Sequence, residues 1–142
     1  MYTYHGQCHC GAIKVALRSS KAASQLGARS CRCSFCKAHG ASWTSDPGGQ
    51  LEITLPRERL SRYTFGTGTA EFLICATCGV VPAVIWKDTD RLLGVARVNC
   101  LAESEVLLAN VGQADFEGET EAKRLERRAR SWTPASVRFT RG

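Results

Sequence analysis

Apolar and polar residues alternate in several short stretches of the chain, a pattern that predicts β-strands with one buried face. The clearest example is 11–17, where Ile13, Val15 and Leu17 would share the buried face. Glycine-containing turns at 46–49 and 66–68 separate some of these stretches, and the second of them predicts a β-hairpin. The predicted strands are two within 2–17, around a turn, and then 51–55, 61–65, 70–74, 80–86 and 92–98.

Three other stretches do not alternate. Residues 18–30, rich in serine and alanine, predict a loop, and 36–40 predict one helical turn ended by Gly40. Residues 119–130 are charged and poor in β-branched residues, which predicts a short C-terminal helix. The fold class is therefore mostly β. We expect residues 1–142 to form a single domain, because this length fits one domain and no repeat or linker divides it.

The composition supports a folded, cytoplasmic protein. Hydrophobic residues make up 44% of the chain and charged residues 23%, enough to build a core. No run approaches the roughly 18 apolar residues of a membrane helix, and the first residues lack the pattern of a signal peptide. The net charge of +6 suits an anionic ligand. It is too small to indicate nucleic acid, and no nucleic-acid-binding motif accompanies it.

The eight cysteines are the informative feature, because seven of them fall into three tight clusters. Cysteines two or three residues apart rarely form a disulfide with each other, but they readily share one cation. The cytosol also keeps thiols reduced. The pattern therefore favours metal binding over disulfides. The clusters are Cys8 and Cys10; Cys31, Cys33 and Cys36; and Cys75 and Cys78.

The natural division of these seven cysteines is four plus three. Alternate residues of a strand share a face, so Cys8 and Cys10 can join the Cys75–Cys78 turn around one cation in a closed structural site. The remaining three would leave an open fourth position, the pattern of catalytic zinc. Spacing also allows a site of Cys31, Cys33, Cys75 and Cys78 that leaves Cys36 free. In a third arrangement His39 or His5 completes a structural Cys3His site.

The cysteine spacing resembles that of a known family. The motifs are Gly-Gln-Cys-His-Cys-Gly at 6–11, Cys-x-Cys-x-x-Cys at 31–36 with Gly40 behind it, and Cys-x-x-Cys-Gly at 75–79. In this order they resemble the glutathione-dependent formaldehyde-activating enzymes, a family that includes centromere-protein-V-like members. The resemblance extends from about residue 4 to residue 100. It implies a β-tent fold, in which zinc staples short antiparallel sheets.

The resemblance also implies roles for the cysteines. It assigns a structural zinc to Cys8, Cys10, Cys75 and Cys78. It assigns a second, labile zinc, and the catalytic role, to Cys31, Cys33 and Cys36. The implied activity is that of a carbon–sulfur lyase acting on a thiol adduct of a small carbonyl, such as S-(hydroxymethyl)glutathione, with glutathione as the thiol partner. The alternative is a non-catalytic zinc module that binds a thiol carrier or a protein partner.

Several residues outside the clusters are secondary candidates. Arg29, Arg32 and Lys37 flank the middle cluster and could attract an anionic thiol. His39 and Glu71 are the candidates for a general acid or base. The remaining features have structural interpretations. They are tryptophans of the core or of a lid (Trp43, Trp86 and Trp132, with Trp43 nearest the middle cluster), a buried free thiol at Cys100, and a solvated helix 119–130 with pairs such as Glu126–Arg130.

Overall fold

A computed structural model describes residues 1–31, 33–66, 68–109, 111–114 and 119–141 of the chain. It is mostly β, as the alternation predicts. Four α-helices are α1 (Ala23–Leu26), α2 (Ser34–His39), α3 (Ser104–Leu108) and α4 (Glu121–Ser131). The strands are β1 (Tyr2–Gln7), β2 (Lys14–Ser19), β3 (Ala28–Cys31), β4 (Ser42–Thr44), β5 (Gln50–Pro56), β6 (Leu60–Tyr63), β7 (Glu71–Cys75), β8 (Ala83–Asp88), β9 (Arg91–Arg97), β10 (Val111–Ala114) and β11 (Thr133–Thr140). None of the described helices has the length and hydropathy needed to span a membrane.

The eleven strands form one sheet that branches at β9. Its main path runs β1-β2-β5-β11-β9-β4-β3-β10, and a side branch runs from β9 through β8 and β7 to β6. The pairings of β11 with β5 and of β10 with β3 are parallel. The other pairings between described strands are antiparallel, as the resemblance implies.

The β7–β8–β9 branch is buried on both faces, because alternate residues enter two different cores. Leu73 and Ile85 belong to the larger core together with β1, β2 and β5. Their neighbours Phe72, Val84 and Val95 point the other way, into a smaller core that also contains Trp43 and Trp132. This double burial explains why 80–86 is almost continuously apolar rather than alternating.

The local predictions succeed where the alternation is strong. The hairpin of β6 and β7 and the strands β5, β8 and β9 are confirmed. The predicted loop 18–30 is wrong, because this segment contains α1 and β3. The short elements β4, α3 and β10 and the final strand β11 were not predicted. Helix α2 begins at Ser34, two residues earlier than expected, and ends at Gly40 as predicted.

Asp46 connects the final strand to the rest of the sheet, through both its side chain and its backbone amide. Asp46 is buried, and its carboxylate accepts hydrogen bonds from the Ser19 hydroxyl (2.5 Å) and the Gly48 amide (3.0 Å). Its own amide donates to the hydroxyl of Thr133 at the start of β11 (2.7 Å). The hydrogen bond from Ser19 holds the pKa of Asp46 below its usual value, against the opposing effect of burial. This network fixes the start of β11 and therefore the chain that leads into it from α4.

We expect Asp46→Asn to lower the free energy of unfolding by about 1–2 kcal/mol, because the amide is a weaker acceptor for the buried Ser19 hydroxyl. The folded pKa of Asp46 is depressed, so its stabilisation is present above the pKa of an unfolded aspartate, about 3.9. It is lost as the pH falls through the lower folded value. Urea unfolding at several pH values should therefore show the variant and the native protein converging below about pH 4. The exposed Asp90→Asn is the control and should change little.

Candidate functional site

The first and third cysteine clusters meet at one point of the structure. The four sulfur atoms of the four-cysteine cluster lie within 4.8 Å of one another and belong to Cys8, Cys10, Cys75 and Cys78. The sulfur atoms of Cys10 and Cys75 are 3.5 Å apart, although these residues are 65 positions apart in sequence. Cys8 and Cys75 are buried and Cys10 is exposed. This donor set fits a cation that prefers thiolate ligands.

Two similar turns present these four sulfurs. In the first, the Ile13 amide donates to the Cys8 sulfur (3.2 Å), and Gly11 adopts a φ of 84° that favours glycine. In the second, the Cys78 amide donates to the Cys75 sulfur (3.5 Å), and Gly79 has a φ of 80°. The expectation that Cys8 and Cys10 alternate along a strand is wrong, because β1 ends at Gln7 and a turn brings their sulfurs to 3.8 Å.

The environment shifts the pKa values of Cys8 and Cys78 in opposite directions. Burial raises the pKa of Cys8 to about 12. Burial also acts on Cys78, but the amides of Val80 and Cys10 outweigh it and lower the pKa of Cys78 to about 6. A cation shared by the four sulfurs would bind the thiolate forms and release the remaining protons.

The middle cluster forms a separate group at the start of α2. The sulfurs of the three-cysteine cluster also lie within 4.8 Å of one another and belong to Cys31, Cys33 and Cys36. Cys31 ends β3, Cys33 is the N-cap of α2, and the buried Cys36 follows one turn later. The Cys36 amide donates to the Cys33 sulfur (3.4 Å), and the Trp43 indole N–H donates to the Cys36 sulfur (3.4 Å).

Negative charge in the three-cysteine cluster concentrates on Cys33. Hydrogen bonds from Cys31 and Cys36 lower the pKa of Cys33 to about 2; burial opposes this shift, and the amides of Cys36 and Phe35 add to it. Hydrogen bonds with Cys31 and Cys33, together with burial, raise the pKa of Cys36. The hydrogen bond between Cys31 and Cys33 raises the pKa of Cys31. The cluster therefore offers a thiolate and two neighbouring thiols, the starting point for capturing a cation.

The three-cysteine cluster forms part of the wall of a cavity of about 530 Å³, within the size range of small-molecule sites. Its apolar side includes Phe72, Val84 and Val95, which are paired neighbours across β7, β8 and β9. Trp43, Phe65 and Trp132 extend this apolar side. The cavity thus combines three sulfurs, an aromatic wall and a set of cations. The lining cations are Arg29, Lys37, Arg124, Arg127 and Arg128.

Helix α4 supplies three of these five cations, so the expectation of a solvated helix is wrong. Its N-terminal Thr120 caps the helix, and Leu125 and Ala129 pack against the smaller core. This packing turns the basic residues on the same side of α4 towards the cavity. The expected Glu126–Arg130 pair is not among the salt bridges of the described residues; Glu119 instead pairs with Arg124 (3.5 Å) and Arg127 (3.1 Å).

The structure separates the other sequence candidates from the three-cysteine cluster. The exposed His39 stacks on Phe35, with 4.4 Å between ring centroids, and joins neither group of sulfurs. His5 is an exposed residue of β1, and Glu71 forms a salt bridge with Arg62 (3.0 Å). Among the described residues, the cavity lining includes no histidine or carboxylate.

Two further candidates need separate mention. Arg32 lies outside the described residues. Cys100 is a half-buried free thiol that belongs to neither group of sulfurs, and burial raises its pKa.

Sequence reasoning found the cysteines but missed most of the cavity. Trp43 was noted for its nearness to the middle cluster, and the contact is confirmed. The arginines of α4 were assigned to solvent because Glu119, Glu121 and Glu126 are interspersed with them. One signal pointed to the cavity: Leu125, Ala129 and Trp132 follow helical spacing, so the helix has an apolar side that must pack somewhere.

We expect intrinsic fluorescence to report on the three-cysteine cluster, because the Trp43 indole contacts the Cys36 sulfur. Adding Cd²⁺ to chelator-treated protein should change the emission, and Trp43→Phe should remove most of this change. The control is Trp86→Phe, a buried tryptophan that does not line the cavity. An equal loss in both variants would contradict the contact.

Comparison with known proteins agrees with this geometry. A crystal structure of a Rhodobacter sphaeroides protein is similar to this chain, with a TM-score of 0.58 and 28% sequence identity. The match covers 78% of this chain and 99% of that one. The family model described as "Glutathione-dependent formaldehyde-activating enzyme" matches residues 3–114, which contain all seven clustered cysteines. The chain therefore belongs to the glutathione-dependent formaldehyde-activating enzyme family.

Proposed function

We propose that both groups of sulfurs bind zinc, with different roles. Zinc is the common cation for sites made of several thiolates, and each group has its sulfurs within 4.8 Å. The four-cysteine cluster has four ligands and two buried members, which suits a closed structural site. The three-cysteine cluster has three ligands at a cavity wall, which suits an open site. We further propose that residues 1–142 act as one domain in the cytoplasm, where thiols stay reduced.

We propose that the protein is a carbon–sulfur lyase that interconverts a thiol, a small carbonyl and their adduct. Glutathione and formaldehyde, with S-(hydroxymethyl)glutathione as the adduct, are the substrates that the family suggests. The observation that carries the proposal is the position of the three-cysteine cluster on the wall of a cavity of about 530 Å³. The catalytic group would be Cys31, Cys33 and Cys36, acting through the bound metal.

The reaction needs no oxidant or reductant. The thiol sulfur forms a bond to the carbonyl carbon, and the electron pair of the C=O π bond moves to oxygen. The thiol loses one proton and the oxygen gains one, so the sum is an addition. A zinc ion held by three cysteines would supply an open position that holds the incoming thiol as its thiolate.

The residues of the chain would favour this reaction in two ways. Arg29 and Lys37 line the cavity on the side of the cysteines and would attract an anionic thiol. The aromatic wall formed by Phe65, Phe72 and Trp132 would limit access of water to the reacting atoms. The Trp43 indole N–H, bonded to the Cys36 sulfur, would hold that ligand in one orientation.

One observation favours the alternative of a non-catalytic zinc module. Within the described part of the chain, no carboxylate or imidazole lines the cavity, so no side chain there is an ordinary general acid or base. A module would bind the thiol and show no turnover. The two proposals therefore differ in a measurable quantity, the consumption of formaldehyde.

We expect two zinc ions per chain, one for each group of sulfurs, by elemental analysis. Mild chelation should remove the ion of the three-cysteine cluster first, because it has fewer ligands and faces a cavity. Circular dichroism should then show an intact fold. Cys33→Ser should lose one ion, whereas Cys100→Ser should lose none, since Cys100 belongs to neither group. A single ion in the native protein, or two that leave only on unfolding, would contradict an open site.

We expect formaldehyde to be consumed faster in the presence of glutathione and the native protein than with glutathione alone. Cys33→Ser should lower this acceleration by about a hundredfold or more. Loss of a residue that only supports a metal ligand already lowers activity by about 10- to 100-fold, and loss of the ligand itself should cost at least as much. Cys100→Ser should keep it. Binding of glutathione without acceleration would favour the module. Loss of fold in Cys33→Ser would show instead that the cluster is structural.

A further inference from the structure

Arg128 is a buried cation without a carboxylate partner among the described residues. Its exposed fraction is 8%, and its Nε atom is buried without a hydrogen-bond partner. One of its terminal nitrogens, Nη1, donates to the Thr69 hydroxyl (2.7 Å), and its guanidinium lies 5.1 Å from the Trp132 ring centroid. No described carboxylate oxygen lies within salt-bridge distance of it. Burying an unpaired charge is costly unless something else pairs with it.

The other arginines at this end of the cavity are held in place around Arg128. Arg127 forms a bidentate pair with Glu119, at 3.1 and 3.2 Å, and Arg124 shares the same carboxylate. Arg29, which shares β3 with Cys31, donates to the Ser45 hydroxyl (3.0 Å). Glu119 thus pairs with Arg124 and Arg127, and no described carboxylate lies within salt-bridge distance of Arg29 or Arg128. We call Arg29, Arg124, Arg127 and Arg128 the arginine wall.

The arginine wall lies close to the three-cysteine cluster. Burial and the charge of Arg127 lower the pKa of Arg29, and the nearby Cys31 acts in the opposite direction. Burial and the charges of Arg127 and Arg124 lower the pKa of Arg128 to about 10, against the smaller opposing effects of Glu119 and Cys31, so this residue is cationic at neutral pH. Among the described residues, the arginine wall therefore carries more positive charge than Glu119 balances.

We propose that the arginine wall binds a carboxylate of the substrate thiol, with Arg128 as the residue that pairs with it. The inference rests on the proposed function for the identity of the ligand as a thiol. A guanidinium binds a carboxylate through parallel N–H donors, and burial strengthens the pair. The cavity would then bind the carboxylate through these arginines and the sulfur through the three-cysteine cluster.

This assignment makes α4 a specificity element. The family model matches residues 3–114, whereas three of the four wall arginines lie on α4, beyond that range. The cysteine motifs can therefore supply the sulfur end of the site, while the segment after them selects what the thiol carries. A thiol without a carboxylate would leave Arg128 unpaired, as it is in the free protein, and would therefore bind more weakly than a thiol that carries one.

The test compares two ligands that cannot be captured through sulfur, S-methylglutathione and its dimethyl ester. Isothermal titration calorimetry on the metal-loaded protein measures both affinities. We expect the free acid to bind at least about tenfold more tightly than the ester, because only the acid offers charged partners to the wall. Equal affinities in the native chain would overturn the proposal, and this comparison requires no variant.

Variants then locate the interaction. Arg128→Met keeps an unbranched chain in place of the aliphatic part of arginine, removes the guanidinium, and should remove most of the preference for the acid. Arg130→Met removes the same charge from an exposed position of α4 outside the cavity, and should keep the preference. Equal losses in the two variants would show an effect of net charge alone and would also overturn the proposal. Should Arg128→Met not fold by circular dichroism, Arg29→Met provides the second test, with the same expected loss.

The outcomes separate this inference from the proposed reaction. A preference for the acid without glutathione-dependent consumption of formaldehyde would support the arginine wall and refute the reaction. Consumption of formaldehyde without a preference for the acid would support the reaction and refute the wall. Binding of S-methylglutathione does not depend on thiol capture. The preference for the acid and the consumption of formaldehyde are therefore independent measurements.

Discussion

The convergence of four sulfurs from two distant turns is the constraint on which the rest of the structure depends. Cys8 and Cys10 follow β1, and Cys75 ends β7 with Cys78 just after it, yet their sulfurs lie within 4.8 Å of one another. The main path of the sheet and its side branch are thereby fixed to each other at one point as well as through β9. Without a cation, these four sulfurs contribute little to the stability of the fold, because burial opposes their ionisation. A cation shared by them would offset that cost and make the constraint strong.

The same branching creates the cavity. Because β7, β8 and β9 are buried on both faces, one face can complete the larger core while the other presents Phe72, Val84 and Val95 to a second, smaller core. Helix α4 covers that face incompletely, and the space left between them lies beside the three-cysteine cluster. The two groups of sulfurs therefore have different surroundings. The four-cysteine cluster joins two parts of the sheet, whereas the three-cysteine cluster lines a cavity.

Much of the fold and half of the site could be predicted from the sequence. Strands β5, β8 and β9 and the hairpin of β6 and β7 follow local alternation, since a half-buried strand must show it. The four-plus-three division of the cysteines also agrees with the structure. Short turns bring the sulfurs within each motif together, whereas the meeting of the first and third motifs depends on the tertiary structure. Short elements such as β3, β4 and β10 escaped prediction, because three or four residues carry too little periodicity to distinguish a strand from a loop.

The sequence by itself determined which residues could bind a metal, because that depends on residue type and on spacing within a few positions. Only the tertiary structure decided what surrounds them. The approach of Arg128 to a cluster that ends about ninety residues earlier depends on the start of β11, just after α4, which pairs with β9. The burial of one arginine on a helix with five basic and two acidic residues likewise depends on what packs against that helix. No local pattern encodes either fact, because each arises from contacts between segments that are distant along the chain.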